Sequence, residues 1–88
     1  MNVLYFAWIR NQIGIGEESL DLPEGVTTVS DFLEWLSRRG PNYLEALKNR
    51  SVVRVAVNQE YVSLDHELAP GDEVALFPPV TGGLGVDK

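Results

Sequence analysis

The sequence predicts an α+β fold in which a mixed β-sheet of about five strands packs against one main helix. Two observations support this: one segment has a single apolar stripe at helical spacing, and short apolar or β-branched segments lie on both sides of it. A helix stripe must be buried against another element, and a sheet face can cover it. With 88 residues, 44% of them hydrophobic, the chain is long enough for one domain with a real core.

The N-terminal part of the chain is predicted to form a hairpin. Residues 3–9 are apolar at every position, which is typical of a central strand covered on both faces. Residues 10–16 are mostly polar and contain two glycines, so we expect a loop there. Leu20 and Leu22 alternate with polar residues and predict a half-buried second strand that pairs with the first.

The main helix has signals at both of its ends. Thr28 and Asp31 form an approximate capping box at its start. Gly40 fits the C′ position after its last turn, and Pro41 prevents the helix from continuing. The apolar stripe occupies positions i, i+3, i+4 and i+7, which are Val29, Phe32, Leu33 and Leu36.

After the main helix, the sequence predicts a short second helix and a second hairpin. Residues 42–48 form the helix, with Leu44 and Leu47 facing inward. Residues 52–57 are rich in β-branched side chains and are predicted to form a strand. A short return strand follows at residues 61–62.

The last predicted strand, residues 73–77, ends at Pro78 and Pro79 because proline has no N–H to donate to a ladder. The first and last strands are the most apolar, so we expect both in the centre of the sheet, side by side and parallel. This order of strands around one helix is the β-grasp, or ubiquitin-like, arrangement. We therefore predict a β-grasp domain over residues 1–80 and a flexible tail over residues 81–88.

The composition argues against several kinds of function. Without cysteine, the chain cannot form disulfides, thiolate nucleophiles or cysteine-based metal sites. The one histidine, His66, lies in a polar segment, so we predict a solvated side chain and no metal site. The net charge of −6 disfavours nucleic acid as a partner. The sequence has neither an apolar run of the ~20 residues that span a bilayer nor a secretory signal, so we expect no membrane partner and a cytoplasmic location.

The C-terminal part of the sequence resembles a known family. Residues 71–83 read Gly-Asp-Glu-Val-Ala-Leu-Phe-Pro-Pro-Val-Thr-Gly-Gly, which is similar to the C-terminal signature of the molybdopterin synthase small subunits, a family of sulfur carriers. Residues 3–7 and 55–58 also resemble that family. Most of the specificity lies in residues 77–83, since a diglycine that follows a terminal strand and a Pro-Pro pair is stronger evidence than a diglycine alone.

This resemblance implies a chemistry that uses the backbone rather than a side chain. In the family, an E1-like adenylyltransferase uses ATP to adenylate the terminal glycine carboxylate, here that of Gly83. Sulfur from a donor then replaces AMP, which leaves a thiocarboxylate. The large subunit of the synthase uses that sulfur on the pterin precursor in molybdenum cofactor biosynthesis. The chain itself would bind no cofactor and would not be catalytic alone, but would be the sulfur-donating subunit of a sulfurtransferase.

The resemblance also implies a partner-binding segment. An apolar collar at the root of the tail is formed by Phe77, Pro78, Pro79 and Val80. Thr81 and Gly82 continue this segment to Gly83. On the resemblance, both the adenylyltransferase and the large subunit dock there, at different times.

The sequence departs from the family after the diglycine. Chains of the family end at the second glycine, whereas residues 84–88 follow Gly83 here. Either a protease removes this five-residue extension, or it is an artefact, or the chain is never activated; we favour the first two alternatives. The alternatives left open are a ubiquitin-like protein modifier, a sulfur carrier for thiamine or tRNA thiolation, and a non-catalytic β-grasp interaction module.

Overall fold

The computed structural model describes residues 1–79. In this range the five strands form one sheet, in the order β2-β1-β5-β3-β4. The elements are β1 (Asn2–Tyr5), α1 (Ala7–Ile13), β2 (Glu17–Ser19), α2 (Val29–Ser37), α3 (Pro41–Leu47), β3 (Arg54–Val57), β4 (Glu60–Val62) and β5 (Glu73–Phe77), with a 3₁₀ turn at Arg50–Val52. The strands β1 and β5 are parallel and the other pairs are antiparallel. This topology confirms the predicted β-grasp fold.

The main helix, α2, forms as the sequence predicts. The Thr28 hydroxyl accepts from the Asp31 N–H at 3.1 Å, and the Asp31 carboxylate accepts from the Thr28 N–H at 3.2 Å. This reciprocal capping box satisfies N–H groups that have no partner within the helix. The four residues of the predicted stripe are all fully buried. The helix therefore covers one face of the sheet.

The N-terminal prediction is wrong beyond Tyr5. The chain leaves β1 there and forms the helix α1, which buries Ile9 and Ile13, one turn apart, and ends at Gly14 with φ of 103°. A short apolar run is compatible with a strand and with a buried helix, so periodicity alone did not distinguish the two elements. The hairpin partner β2 is Glu17–Ser19, so the predicted strand residues Leu20 and Leu22 lie after the strand and not in it.

The junction between α2 and α3 corrects two further predictions. Gly40 is extended, with φ of 169°, and is the N-cap of α3 rather than the C′ residue of α2. Leu44 is 53% exposed, whereas Leu47 is buried as predicted and Ala46 is buried beside it. The sequence pattern placed α3 correctly but assigned its apolar face incorrectly, because this helix is only two turns long.

No helix within the described range is both long enough and apolar enough to cross a membrane. The cytoplasmic location stays a prediction. The predicted tail, residues 81–88, lies outside the described residues, as does Val80 at the predicted domain boundary.

Candidate functional site

The chain leaves the sheet at the end of the central strand, β5, and the predicted tail follows a few residues later in the sequence. On one side of β5, Leu76 is in register with Tyr5 of the parallel strand β1. On the other side, Phe77 is in register with Arg54 of the antiparallel strand β3. Beyond the end of β1, the Phe6 N–H donates to the Leu76 carbonyl at 3.1 Å. The chain therefore enters the Pro-Pro pair from a strand that is paired with β1 up to Leu76 and with β3 up to Phe77.

The structure brings the first three predicted partner-binding residues together at this end. Phe77, Pro78 and Pro79 are each partly exposed. Because a proline ring fixes φ near −65° and donates no hydrogen bond, the pair stiffens the root of the tail and ends the ladder. The remaining predicted site residues, Val80, Thr81, Gly82 and Gly83, lie outside the described residues.

The sheet face that points away from the helices carries an apolar row, which we call the open face row. Side chains alternate between the two faces along a strand. Val3, Tyr5, Val74 and Leu76 are buried towards the helices. Their neighbours Leu4 and Ala75 therefore point the other way. Cross-strand pairing continues the row through Ala56 to Tyr61, so that it runs Leu4, Ala75, Ala56, Tyr61.

Two aromatic residues extend the open face row to the root of the tail. Tyr61 is 79% exposed, and its ring centroid lies 5.4 Å from that of Phe77. Phe6, at the end of β1, is 47% exposed. Exposed aromatic side chains grouped on one face are typical of protein interfaces. The apolar surface around the root of the tail is therefore larger than the predicted collar.

The sequence interpretation missed Leu4, Phe6 and Tyr61 as site residues. It took residues 3–9 to be covered on both faces, whereas the structure leaves the outer face of β1 open. Alternation was the available signal, since Leu4 lies between the buried residues Val3 and Tyr5, and Phe6 directly follows Tyr5. The strand pairing that places them on the same face as Tyr61 cannot be deduced from the order of the residues in the chain.

Charged side chains border this surface. An open cavity of about 530 Å³ lies beside the end of β1, with Leu4, Phe6, Arg10 and Glu17 among its lining residues. On the β3 side, Arg54 is exposed and in register with Phe77. Although the chain carries a net charge of −6, an arginine thus lies on each side of the end of β5. Such rim charges affect the rate and orientation of protein association more than its strength.

A partly buried polar network on the helix side holds the β1–β2 hairpin. The Glu18 carboxylate accepts hydrogen bonds from the hydroxyls of Tyr5 at 2.6 Å and Tyr43 at 2.8 Å, and forms an ion pair with Arg39 at 2.9 Å. The Arg39 guanidinium also lies over the ring of Tyr43, 4.9 Å from its centroid. This network ties the strand next to β5 to the α2–α3 junction.

The network shifts the pKa values of its acid and of its buried phenol. Burial alone would raise the pKa of Glu18, but hydrogen bonds from Tyr5, Arg39 and Tyr43 outweigh it and hold that pKa below its usual value. Burial, followed by the hydrogen bond to Glu18, raises the pKa of the Tyr5 hydroxyl far above its usual value. Glu18 is therefore charged and Tyr5 neutral at physiological pH.

Side-chain chemistry is sparse near the end of β5. Within residues 1–79, no three histidine, cysteine or acidic side chains come together in a group that could hold a metal ion. His66 is exposed, and its backbone carbonyl accepts from the Val29 N–H at 2.9 Å, at the start of α2. Within residues 1–79, the site offers an apolar surface at the end of β5.

Comparisons with known proteins are consistent with this kind of site. The molybdopterin synthase sulfur carrier subunit of Escherichia coli (strain K12) is 40% identical to this chain over 85 residues, covering 94% of this chain and 99% of that protein. The subunit of the same name from Haemophilus influenzae is 37% identical over 83 residues, with the same coverage.

A solved structure supports the fold independently. A Pyrococcus furiosus protein described as molybdopterin converting factor, subunit 1, superposes with a TM-score of 0.71 and is 40% identical, covering 90% of this chain and 95% of that one. The model of the ThiS family matches residues 3–83, a range that runs from β1 to the second glycine of the diglycine. The chain therefore belongs to the ThiS family.

Proposed function

We propose that this chain is the sulfur-carrier small subunit of molybdopterin synthase, with sulfur held as a thiocarboxylate on Gly83 once residues 84–88 are removed. The observation that carries the proposal is the place of the diglycine in the sequence, shortly after the central strand. The central strand β5 leads through Phe77 and a Pro-Pro pair into the diglycine at which the family match ends. The curated relatives of nearly equal length that carry this function support the same assignment.

The chemistry needs a carboxylate that other proteins can reach. Val80 to Gly83 is four residues, which can extend roughly 13–14 Å from the folded body. Two glycines without Cβ atoms can enter a narrow active site and approach a nucleotide closely. An E1-like adenylyltransferase would transfer AMP from ATP to the Gly83 carboxylate, with release of pyrophosphate. A sulfur donor would then displace AMP, and the thiocarboxylate would pass to the large subunit.

The open face row would serve as the docking surface for these partners. It is continuous with Phe77, so a protein that receives the tail can bury Tyr61 and Phe6 at the same time. Aromatic side chains supply large contact areas at low entropic cost, which suits a carrier that must bind one partner and then release it. The stiff Pro78-Pro79 root lowers the entropy lost when the tail docks.

Mass spectrometry of the intact protein tests this function. A chain ending at Gly83 is incubated with ATP, the adenylyltransferase and a sulfur donor, and we expect it to gain the mass difference between sulfur and oxygen. A variant that ends at Gly82 should gain nothing. A Gly83-ended chain that stays unchanged with partners active on another carrier would refute the proposal.

The same experiment distinguishes a protein modifier. A modifier would be joined through Gly83 to a lysine amine of a target protein, giving adducts of higher mass that resist denaturation. We expect the thiocarboxylate to be the main product and its sulfur to appear in the pterin product after the large subunit is added. Gly83-dependent adducts without sulfur transfer would favour the modifier.

A further inference from the structure

From the backbone at the end of β1, we infer that Ala7 is a positioning residue, whose left-handed conformation holds the Phe6 ring on the open face of the sheet, where a partner docks. The inference rests on the proposed function, because it takes this face to be the docking surface. Ala7 has φ of 55°, a conformation that alanine adopts only at a cost in free energy. It acts through Phe6 and need not touch the partner itself.

Ala7 lies where the chain changes from strand to helix. The preceding residue, Phe6, is extended, with φ of −127° and ψ of 156°. Its N–H donates to the Leu76 carbonyl at 3.1 Å, which prolongs the contact of β1 with β5. Its carbonyl accepts from the Arg10 N–H at 3.2 Å, which begins α1. The sheet and the helix therefore both hold the backbone of Phe6, and Ala7 makes the turn between them.

This turn separates residues that face opposite sides of the sheet. The helix α1 buries Ile9 and Ile13 in the core, on the helix side. Phe6 follows the buried residue Tyr5 in an extended conformation, so its side chain points to the open face. An α-helix ordinarily has φ near −63°, whereas Ala7, the first residue of α1, has φ of the opposite sign. This one residue therefore redirects the chain from one side to the other.

The backbone is the main support of the Phe6 ring. Phe6 is 47% exposed and borders the open cavity beside the end of β1. Tyr61 and Phe77 pack against each other, but no aromatic ring among residues 1–79 packs in this way against that of Phe6. A half-exposed ring without such a contact takes its position from the backbone that carries it. Its place on the open face therefore depends on the torsion angles of Phe6 and Ala7.

Alanine restricts this junction more than glycine would. The left-handed region open to a residue with a Cβ atom is small, with φ of about 50–70°. Glycine populates both signs of φ over a much wider range. A glycine at position 7 would therefore relieve the strain and at the same time let Phe6 move. A purely structural role of Ala7 predicts only the first of these effects, whereas a positioning role predicts both.

Exchange of the Phe6 amide tests the positioning in the free protein. For Ala7→Gly in the full chain we expect the midpoint of thermal unfolding to rise by about 2–4 °C, because strain is relieved. Hydrogen exchange of the Phe6 N–H, measured by NMR, should nevertheless become about tenfold faster, because its bond to Leu76 opens more often. Ala7→Asn keeps a Cβ atom and tolerates positive φ, so its exchange rate should stay within about twofold of the wild type. Unchanged exchange in Ala7→Gly would overturn the inference.

Binding of the synthase large subunit tests what the positioning is for. With a chain that ends at Gly83, Ala7→Gly should raise the dissociation constant about fivefold, although this variant is the more stable protein. The matched control is Gln59→Gly, which relieves another left-handed residue, with φ of 71°. Gln59 lies in the β3–β4 turn, near the start of β5 and at the opposite end of that strand from Phe77. This control should leave the dissociation constant unchanged.

A double-mutant cycle shows whether Ala7 acts through Phe6. In a Phe6→Ala background, Ala7→Gly should raise the dissociation constant by less than about twofold, because the ring that Ala7 positions is gone. The same loss in both backgrounds would refute the inference. If the wild type binds the large subunit and Ala7→Gly binds it equally well, the inference fails and the carrier function stands. If the wild type neither binds the large subunit nor accepts sulfur, the proposed function fails, and exchange of the Phe6 amide still decides whether Ala7 holds that residue.

Discussion

The rings of Tyr61 and Phe77 lie 5.4 Å apart, although their strands, β4 and β5, are not hydrogen-bonded to each other. The strand between them, β3, presents Ala56 on the same face, and its small side chain leaves room for the two rings to meet. Ala56 is only 6% exposed even though it faces away from the helices, so its neighbours on that face cover it. This contact joins the exposed edge of the sheet to the root of the tail.

Truncation of Tyr61 should weaken docking without unfolding the domain, because its side chain is 79% exposed. For Tyr61→Ala we expect the dissociation constant for the synthase large subunit to rise about 30-fold, equivalent to about 2 kcal/mol at an interface hot spot. Isothermal titration calorimetry with a Gly83-ended chain measures the effect. The matched control is Leu44→Ala, which removes another exposed apolar side chain from α3. An equal loss in both variants would show that the open face row is not the docking surface.

The Glu18 network should make stability depend on acid pH. Since the pKa of Glu18 is lower in the folded state than in the unfolded chain, its contribution is present above the unfolded value of about 4.3 and is lost as pH falls through the folded value. For Glu18→Gln we expect unfolding at pH 7 to require about 1–3 kcal/mol less free energy. Urea denaturation from pH 7 to pH 3 should show the wild type and the variant converging.

The control for this experiment is Glu17→Gln. Glu17 is exposed and its side chain points to the opposite face of β2, so this change should alter the free energy of unfolding much less. If Glu17→Gln and Glu18→Gln gave the same acid profile, the stabilisation would not come from the network around Glu18.

Tyr5 should make the free energy of unfolding decrease as pH rises in the alkaline range, which is opposite in sign to the effect of Glu18 in acid. Its folded pKa lies above the unfolded value of about 10, so its contribution is complete below pH 10 and declines at higher pH, where the unfolded chain ionises and the folded protein does not. Tyr5→Phe keeps the ring but removes this term. We expect the difference in free energy of unfolding between wild type and variant to shrink as pH rises from 9 to about 11. A difference between wild type and variant that stays constant across that range would contradict the prediction.

Glycine should stabilise the β3–β4 turn more than the native Gln59 does. Asn58 and Gln59 have φ of 53° and 71°, the left-handed values of a two-residue hairpin turn that favours Asn-Gly. Gln59→Gly should raise the free energy of unfolding by about 1 kcal/mol, because glycine adopts this conformation without steric cost. Thermal denaturation provides the measurement. Gln59→Val is the control, and it should lower the free energy of unfolding. A loss of stability in Gln59→Gly would contradict the turn geometry.

Elements whose signals are local were predictable from the sequence. The helix α2 was predicted with its N-terminal capping residues and its four buried side chains, because a stripe at helical spacing and an N-terminal cap depend only on neighbours along one helix. The central strand β5 was predicted with its bounds, because an apolar segment lies between a turn and a Pro-Pro pair. The resemblance in residues 71–83 then pointed to the family.

The tertiary structure determined the features to which several elements contribute. Residues 7–13 became a helix because packing against the core can bury Ile9 and Ile13 on one face, which an apolar run does not reveal. The sequence by itself determined the core of α2, the strand β5 and the diglycine beyond it. Only strand pairing could align Leu4, Ala75, Ala56 and Tyr61, because these residues are far apart along the chain and become neighbours through backbone hydrogen bonds between strands.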